Sequence, residues 1–406
     1  MRVCVIGAGA SGMMASIVLA RGGVDVALVE KNEKFGKKLY ITGKGRCNLT
    51  NDCEMDDMFA NVVRGEKFLR SSLYGFTPQD TMSFFEDLGL KLVVERGNRV
   101  FPFSQKSSDV IKALQIEIEN LGVKTYLGTE VKELKKTHDG FTVVTPWERI
   151  DCDKVIVATG GVSYPSTGST GDGYAFARLF GLKIVEPRQA LVPIIVKQNV
   201  SSMQGISLKN VLLSAFDESG KEIASEFGEM LFTNRGLSGP IALSVSSYIN
   251  RKQGVKLYLD LKPALDENAL DRRILRDFDE RKNQDIKNVT RALLPERLNV
   301  YVLKCANINE SKKVNEITKE ERARLVGNVK NLRFDVQSLA PFAEAIVTSG
   351  GVDLKCLRPT CECKDVDGLY FVGETIDIDA LTGGFNLQLA FATAVCAARD
   401  ILKKTA

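Results

Sequence analysis

The N-terminal part of the chain places two short apolar runs on either side of one longer apolar segment. Val3 to Ile6 and Val24 to Val29 are short and rich in valine, as in strands that are buried on both faces of a parallel sheet. The apolar segment between them ends near Arg21 and has the length of a helix. This order predicts a strand, a helix and a second strand, which together form the βαβ unit of an α/β fold.

Apolar segments separated by polar loops continue to about residue 190. The expected helices are 77–88 and 107–121, and the expected strands are 91–95, 123–127, 130–135, 141–145 and 154–157. The Asp139-Gly140 pair is typical of a turn between two antiparallel strands. The last of these strands runs into Thr159, Gly160 and Gly161, and residues this small let a ligand lie close to the carboxyl end of a sheet.

The pattern changes at Leu191 and returns to its first form near the C-terminus. Pro240 predicts the start of a helix, because proline is favoured at the first helical position. Thr318 and Glu321 have the spacing of a capping box at the start of another helix. The remaining expected elements are strands at 192–196, 207–216, 256–261, 345–348 and 369–372, charged helices within 266–327, and an apolar helix at 387–403.

These elements predict an α/β chain with a Rossmann-like dinucleotide-binding domain that is discontinuous in sequence. That domain would comprise residues 1–190 and 345–406. An inserted β-rich domain would comprise residues 191–265 and 326–344, and a helical subdomain would comprise residues 266–325.

A glycine fingerprint lies between the first strand and the first helix. Gly7, Gly9 and Gly12 have the spacing G-x-G-x-x-G, and Glu30 follows the second strand about 20 residues later. In such a motif the glycines allow a tight turn, close approach of a pyrophosphate and close packing of the helix. An acid at the position of Glu30 accepts hydrogen bonds from a ribose 2′-hydroxyl and repels a 2′-phosphate. The motif therefore predicts a site for FAD or NAD rather than for NADP.

A second glycine-rich turn precedes the last apolar helix. The strand 369–372 leads into Gly373 and Glu374, and Gly383-Gly384-Phe385-Asn386 follows a short acidic loop. The N-terminus of the next helix would offer free backbone N–H groups, and these stabilise negative charge such as that of a reduced flavin. An ordinary helix cap is the alternative interpretation of this turn.

The amino-acid composition limits which chemistry and which partners are possible for this chain. The net charge of +4 on 406 residues does not favour a nucleic-acid partner, and no apolar run reaches the roughly 18 residues of a membrane span.

The one histidine, His138, lies in a hairpin turn, so no catalytic triad or histidine metal site is available. Cys356, Cys361 and Cys363 lack the spacing of a zinc site, and no metal is expected. We expect a cytoplasmic enzyme whose cofactor carries the chemistry and whose substrate is a small molecule.

Several motifs resemble one family of two-dinucleotide-binding-domain flavoproteins, the BaiN-like or aminoacetone-oxidase-like FAD-binding family. The resemblance spans the whole chain, and the most specific segment is Gly45-Arg46-Cys47-Asn48-Leu49-Thr50-Asn51. The other segments that carry it are 7–12, 36–39, 42–44, 168–173, 232–240 and 382–388. The resemblance implies noncovalent FAD in a Rossmann-like, discontinuous FAD-binding domain, with a β-rich insert and a helical subdomain.

The fingerprint, the sheet edge and the resemblance together define an expected set of cofactor-binding residues. In this family Glu30 would hold the adenosine ribose, Lys37, Lys38 and Asn48 would lie along the FAD, and Val131 would offer backbone groups to the adenine. The expected cofactor-binding residues are Gly7, Gly9, Ala10, Ser11, Gly12, Glu30, Lys31, Lys37, Lys38, Gly45, Arg46, Asn48, Val131, Thr159, Gly160, Gly161, Gly373, Glu374, Asp379, Gly383, Gly384, Phe385 and Asn386.

The resemblance implies a redox reaction without fixing which one. The first hypothesis is hydride transfer from NADH or NADPH, through FAD, to a conjugated C=C bond such as that of an oxo-bile-acid-like enone. The alternative is an oxidase of a small amine such as aminoacetone, which would produce hydrogen peroxide. A third hypothesis is a disulfide reductase that uses Cys47 and Cys53, but the chain offers no acid–base partner for their thiols. A flavin-bearing sensor or RNA-modification partner is the non-enzymatic hypothesis.

The catalytic candidates are polar residues in loops that could reach the cofactor. They are Arg46, Cys47 and Tyr164, with Arg235 as a further candidate. Tyr164 could donate a proton, and Arg46 could bind a carbonyl or carboxylate group. Turn or interdomain contacts are the alternative roles for Tyr164 and Arg235, and core packing is the alternative role for Cys47.

Overall fold

The computed structural model describes residues 1–404 and divides the chain into two compact units. The first unit contains Met1–Ala190 and the chain from Phe342 onward, and the second contains Leu191–Pro341. Each unit has its own buried apolar core. The finer division of the second unit into a β-rich and a helical part stays a prediction.

The strands and helices of the two units are numbered together along the chain. The strands are β1 (Arg2–Ile6), β2 (Asp25–Val29), β3 (Thr50–Asn51), β4 (Val62–Arg64), β5 (Leu92–Glu95), β6 (Arg99–Pro102), β7 (Lys124–Tyr126), β8 (Glu133–Lys136), β9 (Phe141–Val144), β10 (Arg149–Cys152), β11 (Lys154–Val157), β12 (Ile184–Ala190), β13 (Ile194–Val196), β14 (Ser207–Phe216), β15 (Glu222–Phe232), β16 (Gly236–Ser238), β17 (Lys256–Asp260), β18 (Leu332–Leu339), β19 (Val347–Val352), β20 (Leu369–Phe371) and β21 (Asp379–Ala380). The helices are α1 (Ala10–Arg21), α2 (Lys37–Ile41), α3 (Met55–Ala60), α4 (Glu66–Gly75), α5 (Pro78–Asp87), α6 (Ser107–Asn120), α7 (Asp172–Leu179), α8 (Pro240–Ile249), α9 (Glu267–Asp279), α10 (Ile286–Thr290), α11 (Glu296–Cys305), α12 (Lys319–Lys330) and α13 (Phe385–Lys403).

A five-stranded parallel sheet forms the centre of the first unit. Its strand order is β20-β11-β1-β2-β7, and β1 pairs with β2 on one side and β11 on the other. The predicted βαβ unit is confirmed, because α1 joins these parallel strands and four of the five residues of β1 are buried. All five strands point the same way, so their carboxyl ends lie along one edge, where ligands bind in open α/β sheets.

Helix α13 packs against α1, although the two are far apart in sequence. The apolar pattern of 387–403 predicted a buried helix, and most residues of α13 are indeed buried. Close packing leaves no room beside Gly22 of the α1 cap, where an added Cβ would lie 2.4 Å from the Leu402 side chain. The C-terminal segment thus completes the core that the N-terminal βαβ unit begins.

Two smaller antiparallel sheets contain strands that the sequence pattern did not predict. β3 pairs with β6, which also pairs with β5, and β10 adds a third strand to the predicted β8–β9 hairpin. β6 is only four residues long and ends in Pro102, so neither its length nor its alternation stood out. The placement of Val131 is also corrected, because the expected strand 130–135 begins only at Glu133.

The second unit is built on a closed six-stranded barrel. The strands follow the order β13-β16-β15-β14-β17-β18, and closure satisfies every strand edge. β15 was missed because three glutamates, at 222, 226 and 229, and the small residues between them interrupt its apolar residues and leave a weak apolar signal. The helix start at Pro240 and the Thr318–Glu321 capping box are both confirmed. Within residues 1–404 no helix is both long and apolar enough to cross a membrane.

Candidate functional site

Two glycines of the fingerprint are required by the packing of the protein itself. Gly7 has φ +103°, and an added Cβ would lie 2.6 Å from the carbonyl oxygen of Ala158, which directly follows β11. An added Cβ at Gly12 would lie 1.7 Å from the carbonyl oxygen of Gly7. Any side chain at either position would therefore separate helix α1 from the sheet.

Gly9 differs from these two glycines, because no contact within the protein requires a glycine at this position. Its φ of −80° is open to any residue, and no described atom lies within 4 Å of an added Cβ. Gly9 is also the N-cap of α1, and no side chain caps the helix there. The first N–H groups of a helix have no intrahelical partner, so this open space beside Gly9 fits the close approach of a pyrophosphate.

The carboxylate of Glu30 is held in one orientation by three hydrogen bonds. Its Oε2 accepts from the backbone N–H of Ala8 at 2.7 Å, and its Oε1 accepts from the N–H of Asn32 at 2.8 Å and from the Asn32 side chain at 2.6 Å. A carboxylate has about four acceptor positions, so one position on Oε2 remains for a ribose hydroxyl.

Asn32 is a site residue that sequence reasoning missed. Its Nδ2 also donates to the carbonyl oxygen of Thr167 at 3.1 Å, and an added Cβ at Gly168 would lie 2.5 Å from that nitrogen. The signal that could have found it is its position two residues after the acid, where a short amide can reach back to the carboxylate.

Two of the expected cofactor-binding lysines are paired with protein groups. Lys31 Nζ donates to Thr170 Oγ1 and Asp172 Oδ2, both at 2.6 Å, which fixes the start of α7 next to the end of β2. Lys37 forms an ion pair with Glu33, four residues earlier in the loop before α2, at 2.9 Å. Their expected contacts with a cofactor stay predictions.

The glycine fingerprint and the C-terminal turn lie at the same place. An added Cβ at Gly373 would lie 2.1 Å from Ser11 Oγ in the first turn of α1. Gly384 has φ +99°, and an added Cβ there would lie 2.3 Å from the carbonyl oxygen of Thr50. The C-terminal segment therefore contacts both the fingerprint and the segment 45–51, as one shared site requires.

Hydrogen bonds hold the turn before α13 in a single shape. Asn386 Oδ1 accepts from the N–H of Ala380 at 3.0 Å, and its Nδ2 donates to the carbonyl oxygens of Ala380 and Leu381. Asn51 Nδ2 donates to the carbonyl oxygen of Gly383 at 3.0 Å. Asp379 is fully buried in β21, which pairs with β4. Like α1, α13 has no side-chain cap at its N-terminus.

Lys38 and Glu374, both expected to bind the cofactor, are paired with each other. Lys38 Nζ donates to Glu374 Oε2 at 2.5 Å and to Ser163 Oγ at 2.6 Å. Glu374 Oε1 accepts from Ser163 Oγ at 2.8 Å and from the N–H of Thr348 at 2.7 Å. This cluster connects α2, the loop after β11, β19 and the residues after β20, so it holds these four pieces of the chain together.

Arg46 lies on an aromatic ring and between two polar partners. Its guanidinium is 4.1 Å from the centroid of Phe101, forms an ion pair with Glu95 and donates to Gln105 Oε1 at 2.5 Å. The side chain keeps 37% of its surface exposed. Arg46 is therefore held in place through Nε and Nη2, and its Nη1 donates to neither Glu95 nor Gln105.

Cys47 is fully buried, and burial raises the pKa of its thiol to about 12. A thiolate is the reactive form of cysteine, so this thiol is unreactive at neutral pH. Its neighbour Asn48 has a buried Oδ1 that accepts no hydrogen bond from any described group. An unpaired buried amide oxygen is costly, so its presence in the segment 45–51 points to a donor on a ligand.

Tyr164 has an uncommon backbone conformation next to the cluster of Lys38, Glu374 and Ser163. Its φ is +49°, which is rare for a bulky residue, and it follows Ser163, which bonds to Lys38 and Glu374. Burial and the nearby Glu344 raise the pKa of its phenol. The side chain therefore stays protonated at neutral pH and keeps a proton to donate.

The remaining expected residues are placed as follows. Thr159, Gly160 and Gly161 follow β11. The backbone N–H of Gly160 donates to Thr375 Oγ1, and the Thr375 hydroxyl donates to the carbonyl oxygen of Gly160. Val131 is buried just before β8. Arg235 lies in the second unit, between β15 and β16. In the described part of the chain no group of three or more His, Cys, Asp or Glu side chains is placed to hold a metal ion.

These features fit FAD. Open space at Gly9, a free acceptor position on Glu30 and the unpaired amide oxygen of Asn48 are complementary to a pyrophosphate, a ribose hydroxyl and a ligand donor. The residues that would hold FAD lie just after β1 and β2, in the first turn of α1, in the segment 45–51 and at the start of α13.

Comparison with known proteins places this site in a family. A model described as the HI0933-like protein Rossmann domain matches residues 1–400. A 3-dehydro-bile acid delta(4,6)-reductase from Clostridium scindens is 31% identical over 408 residues, which cover 98% of this chain and 98% of that protein. A ribosomal RNA dihydrouridine synthase from Escherichia coli is 30% identical over 408 residues, covering 98% of this chain and 97% of that protein. The flavoprotein resemblance that the motifs indicated is thereby confirmed.

Solved structures agree on the fold. A 3-ketosteroid delta1-dehydrogenase from Sterolibacterium denitrificans is similar with a TM-score of 0.55 and 13% identity, covering 99% of both chains. A 3-ketosteroid-delta4-(5alpha)-dehydrogenase from Rhodococcus jostii is similar with a TM-score of 0.51 and 14% identity, covering 98% of this chain and 96% of that one. The expected α/β fold with a Rossmann-like FAD-binding domain is confirmed.

Substitution of two fingerprint glycines should separate ligand binding from folding. Gly9→Ala should leave the melting temperature of the apoprotein unchanged, because its Cβ meets no described atom. The same Cβ would occupy the space of a pyrophosphate, so the Kd for FAD should rise at least about tenfold. Gly12→Ala is the matched control and should destabilise the apoprotein. Wild-type FAD affinity in Gly9→Ala would show that no ligand phosphate passes beside this glycine.

The thiol of Cys47 should be inert in the folded protein. At neutral pH iodoacetamide should alkylate the exposed Cys305 and leave Cys47 unmodified until the chain is unfolded. Since the folded pKa of about 12 exceeds the usual value of about 9, folding favours the protonated thiol. Its contribution to stability is complete below pH 9 and is lost as the pH rises toward 12. A Cys47→Ala variant whose unfolding free energy falls as steeply over this range would contradict this account.

Proposed function

The chain belongs to the HI0933-like Rossmann-domain family and is a flavin-dependent oxidoreductase, and we propose that it uses NADH or NADPH to reduce a C=C bond conjugated to a carbonyl group. FAD, when bound, supplies a centre that accepts a hydride from a nicotinamide and delivers one to carbon. The chain carries one G-x-G-x-x-G fingerprint, so a nicotinamide would bind transiently rather than in a domain of its own.

One observation carries this proposal: two relatives with different substrates share one bond type. The 3-dehydro-bile acid reductase acts on double bonds in conjugation with a ring carbonyl, and a dihydrouridine synthase reduces the uracil double bond that is conjugated to a carbonyl. Both proteins match 98% of this chain. A conjugated carbonyl lowers the barrier to hydride addition at the far carbon, because negative charge then develops on the oxygen.

The protein must also supply a proton to the neighbouring carbon of the reduced bond. Tyr164 is the best supported donor, because its phenol stays protonated and its backbone conformation is uncommon. Cys47 is also protonated but fully buried, and Arg46 already donates to Glu95 and Gln105. We assign Arg46 to binding of the substrate carbonyl, through Nη1, the guanidinium nitrogen that donates to neither Glu95 nor Gln105.

The substrate proposed first is a small enone of the oxo-bile-acid type. A uracil base in ribosomal RNA is the second candidate, favoured by the two dihydrouridine synthases among the relatives, the second from Haemophilus influenzae. Lysine and arginine outnumber the carboxylates only in the Leu191–Pro341 unit, while the rest of the chain is close to balance. The low overall charge therefore does not exclude an RNA substrate.

Anaerobic half-reactions should identify the donor and the acceptor. NADH or NADPH should bleach the flavin absorbance of the FAD-loaded protein. A 3-oxo-Δ4 bile acid should then restore the colour and gain two hydrogens by mass spectrometry; uridine-containing ribosomal RNA is the parallel acceptor. Failure of both nucleotides to bleach the flavin would contradict the proposal. Bleaching by aminoacetone instead, followed by peroxide release in air, would establish the amine oxidase.

Substitution of Tyr164 should affect only one of the two half-reactions. Tyr164→Phe removes the proton donor while keeping the ring, so oxidation of the reduced enzyme by the C=C substrate should slow about 100-fold or more. Bleaching by NADH or NADPH should keep its wild-type rate, because that step needs no proton from the phenol. Wild-type rates in both half-reactions would remove Tyr164 from the mechanism.

A further inference from the structure

A fully buried amide lies one turn inside helix α13. Gln388 has no exposed surface, and its Oε1 accepts from Thr50 Oγ1 and from Thr81 Oγ1, both at 2.7 Å. Its Nε2 donates to the carbonyl oxygen of Phe76 at 2.8 Å. Both lone pairs of the amide oxygen are thus used, and all three partners lie more than 300 residues earlier in the chain.

The three partners belong to different elements of the first unit. Thr50 lies in β3, at the end of the segment 45–51, Thr81 lies in α5, and Phe76 follows α4. Gln388 donates its own backbone N–H to the carbonyl oxygen of Gly384, which is the N-cap of α13. One side chain therefore ties the first turn of α13 to β3, α4 and α5.

Thr50 brings this network to the glycine-rich turn. Its carbonyl oxygen occupies the space beside Gly384, at 2.3 Å from an added Cβ, and the next residue, Asn51, donates to Gly383. A shift of Thr50 would therefore move the segment 45–51 and the N-terminus of α13 relative to each other. The influence of a helix N-terminus falls off within about one turn, so a small displacement changes its effect on a ligand.

We propose that Gln388 is a positioning residue that, through Thr50, sets the N-terminus of α13 and the segment 45–51 in the one arrangement that binds the flavin and favours its reduced form. This inference rests on the flavin chemistry of the proposed function. Gln388 acts through its hydrogen bonds rather than by contact with the reacting atoms. An apolar side chain of similar volume would fill the core and leave two hydroxyl groups and a carbonyl oxygen without a partner.

The same helix offers a matched control at its other end. The fully buried Tyr370 donates its hydroxyl to Asp400 Oδ2 at 2.7 Å. Asp400 is about 24 Å along the helix axis from Gly384, at 1.5 Å per residue. Tyr370→Phe thus removes the hydrogen bond to Asp400 and the one that this hydroxyl accepts from Lys404, without changing the glycine-rich turn.

The test compares Gln388→Met, Thr50→Val and Tyr370→Phe with the wild type. The readouts are the melting temperature of the apoprotein, the Kd for FAD from fluorescence, and the midpoint potential of the bound flavin. Gln388→Met should raise the Kd for FAD on the order of tenfold and make the potential more negative. Tyr370→Phe should lower the melting temperature and leave both flavin properties at their wild-type values.

A double-mutant cycle tests whether Thr50 transmits the effect. Thr50→Val alone should reproduce most of the change in Kd, and Gln388→Met combined with Thr50→Val should add little to either single variant. If Gln388→Met does not fold, Thr50→Val carries the test, because it removes one hydroxyl at nearly constant volume.

Two outcomes would overturn the inference and can be told apart. Wild-type protein that takes up FAD, with variants whose Kd and potential are unchanged while their melting temperatures fall, would show that Gln388 only stabilises the fold. Wild-type protein that takes up no FAD would overturn the proposed function itself, and this inference with it.

Discussion

The structure depends on two glycines at the place where the two ends of the chain meet. The chain packs so closely there that no side chain fits at either position. Gly373 lies against Ser11 in the first turn of α1, and Gly384 lies against the carbonyl oxygen of Thr50. Both glycines have a positive φ, so substitution would combine strain with a collision. These contacts bring the N-termini of α1 and α13 to one edge of the sheet. Neither helix is capped by a side chain, so both leave backbone donors for a negatively charged ligand.

Hydrogen bonds around this junction fix the orientation of several side chains that are expected to bind the cofactor. Glu30 is oriented by Ala8 and Asn32, and Lys38 and Glu374 neutralise each other beside Ser163. Groups that are oriented before a ligand arrives lose little freedom when it binds, which is the physical basis of preorganisation. The cost of this arrangement is seen in the uncommon backbone conformations of Cys47 and Tyr164.

Local sequence signals predicted those parts of the molecule that local forces determine. The β1–α1–β2 unit, the helix start at Pro240 and the Thr318 capping box follow from apolar periodicity and capping chemistry, and all three are confirmed. β15 and the closure of the barrel escaped, because long-range pairing stabilises a strand whose own pattern is weak. The same limit applies to the site. The Lys38–Glu374 pair and the three partners of Gln388 join residues more than 300 positions apart, which spacing cannot reveal.

The central claim is that residues near both ends of the chain bind one flavin together. Amide hydrogen exchange with and without FAD tests it most directly, because exchange reports each segment separately. The account predicts that one FAD per chain slows exchange in residues 7–12 and in residues 383–388 at the same FAD concentration. Protection confined to one of these segments, or appearing in the two at different FAD concentrations, would contradict it.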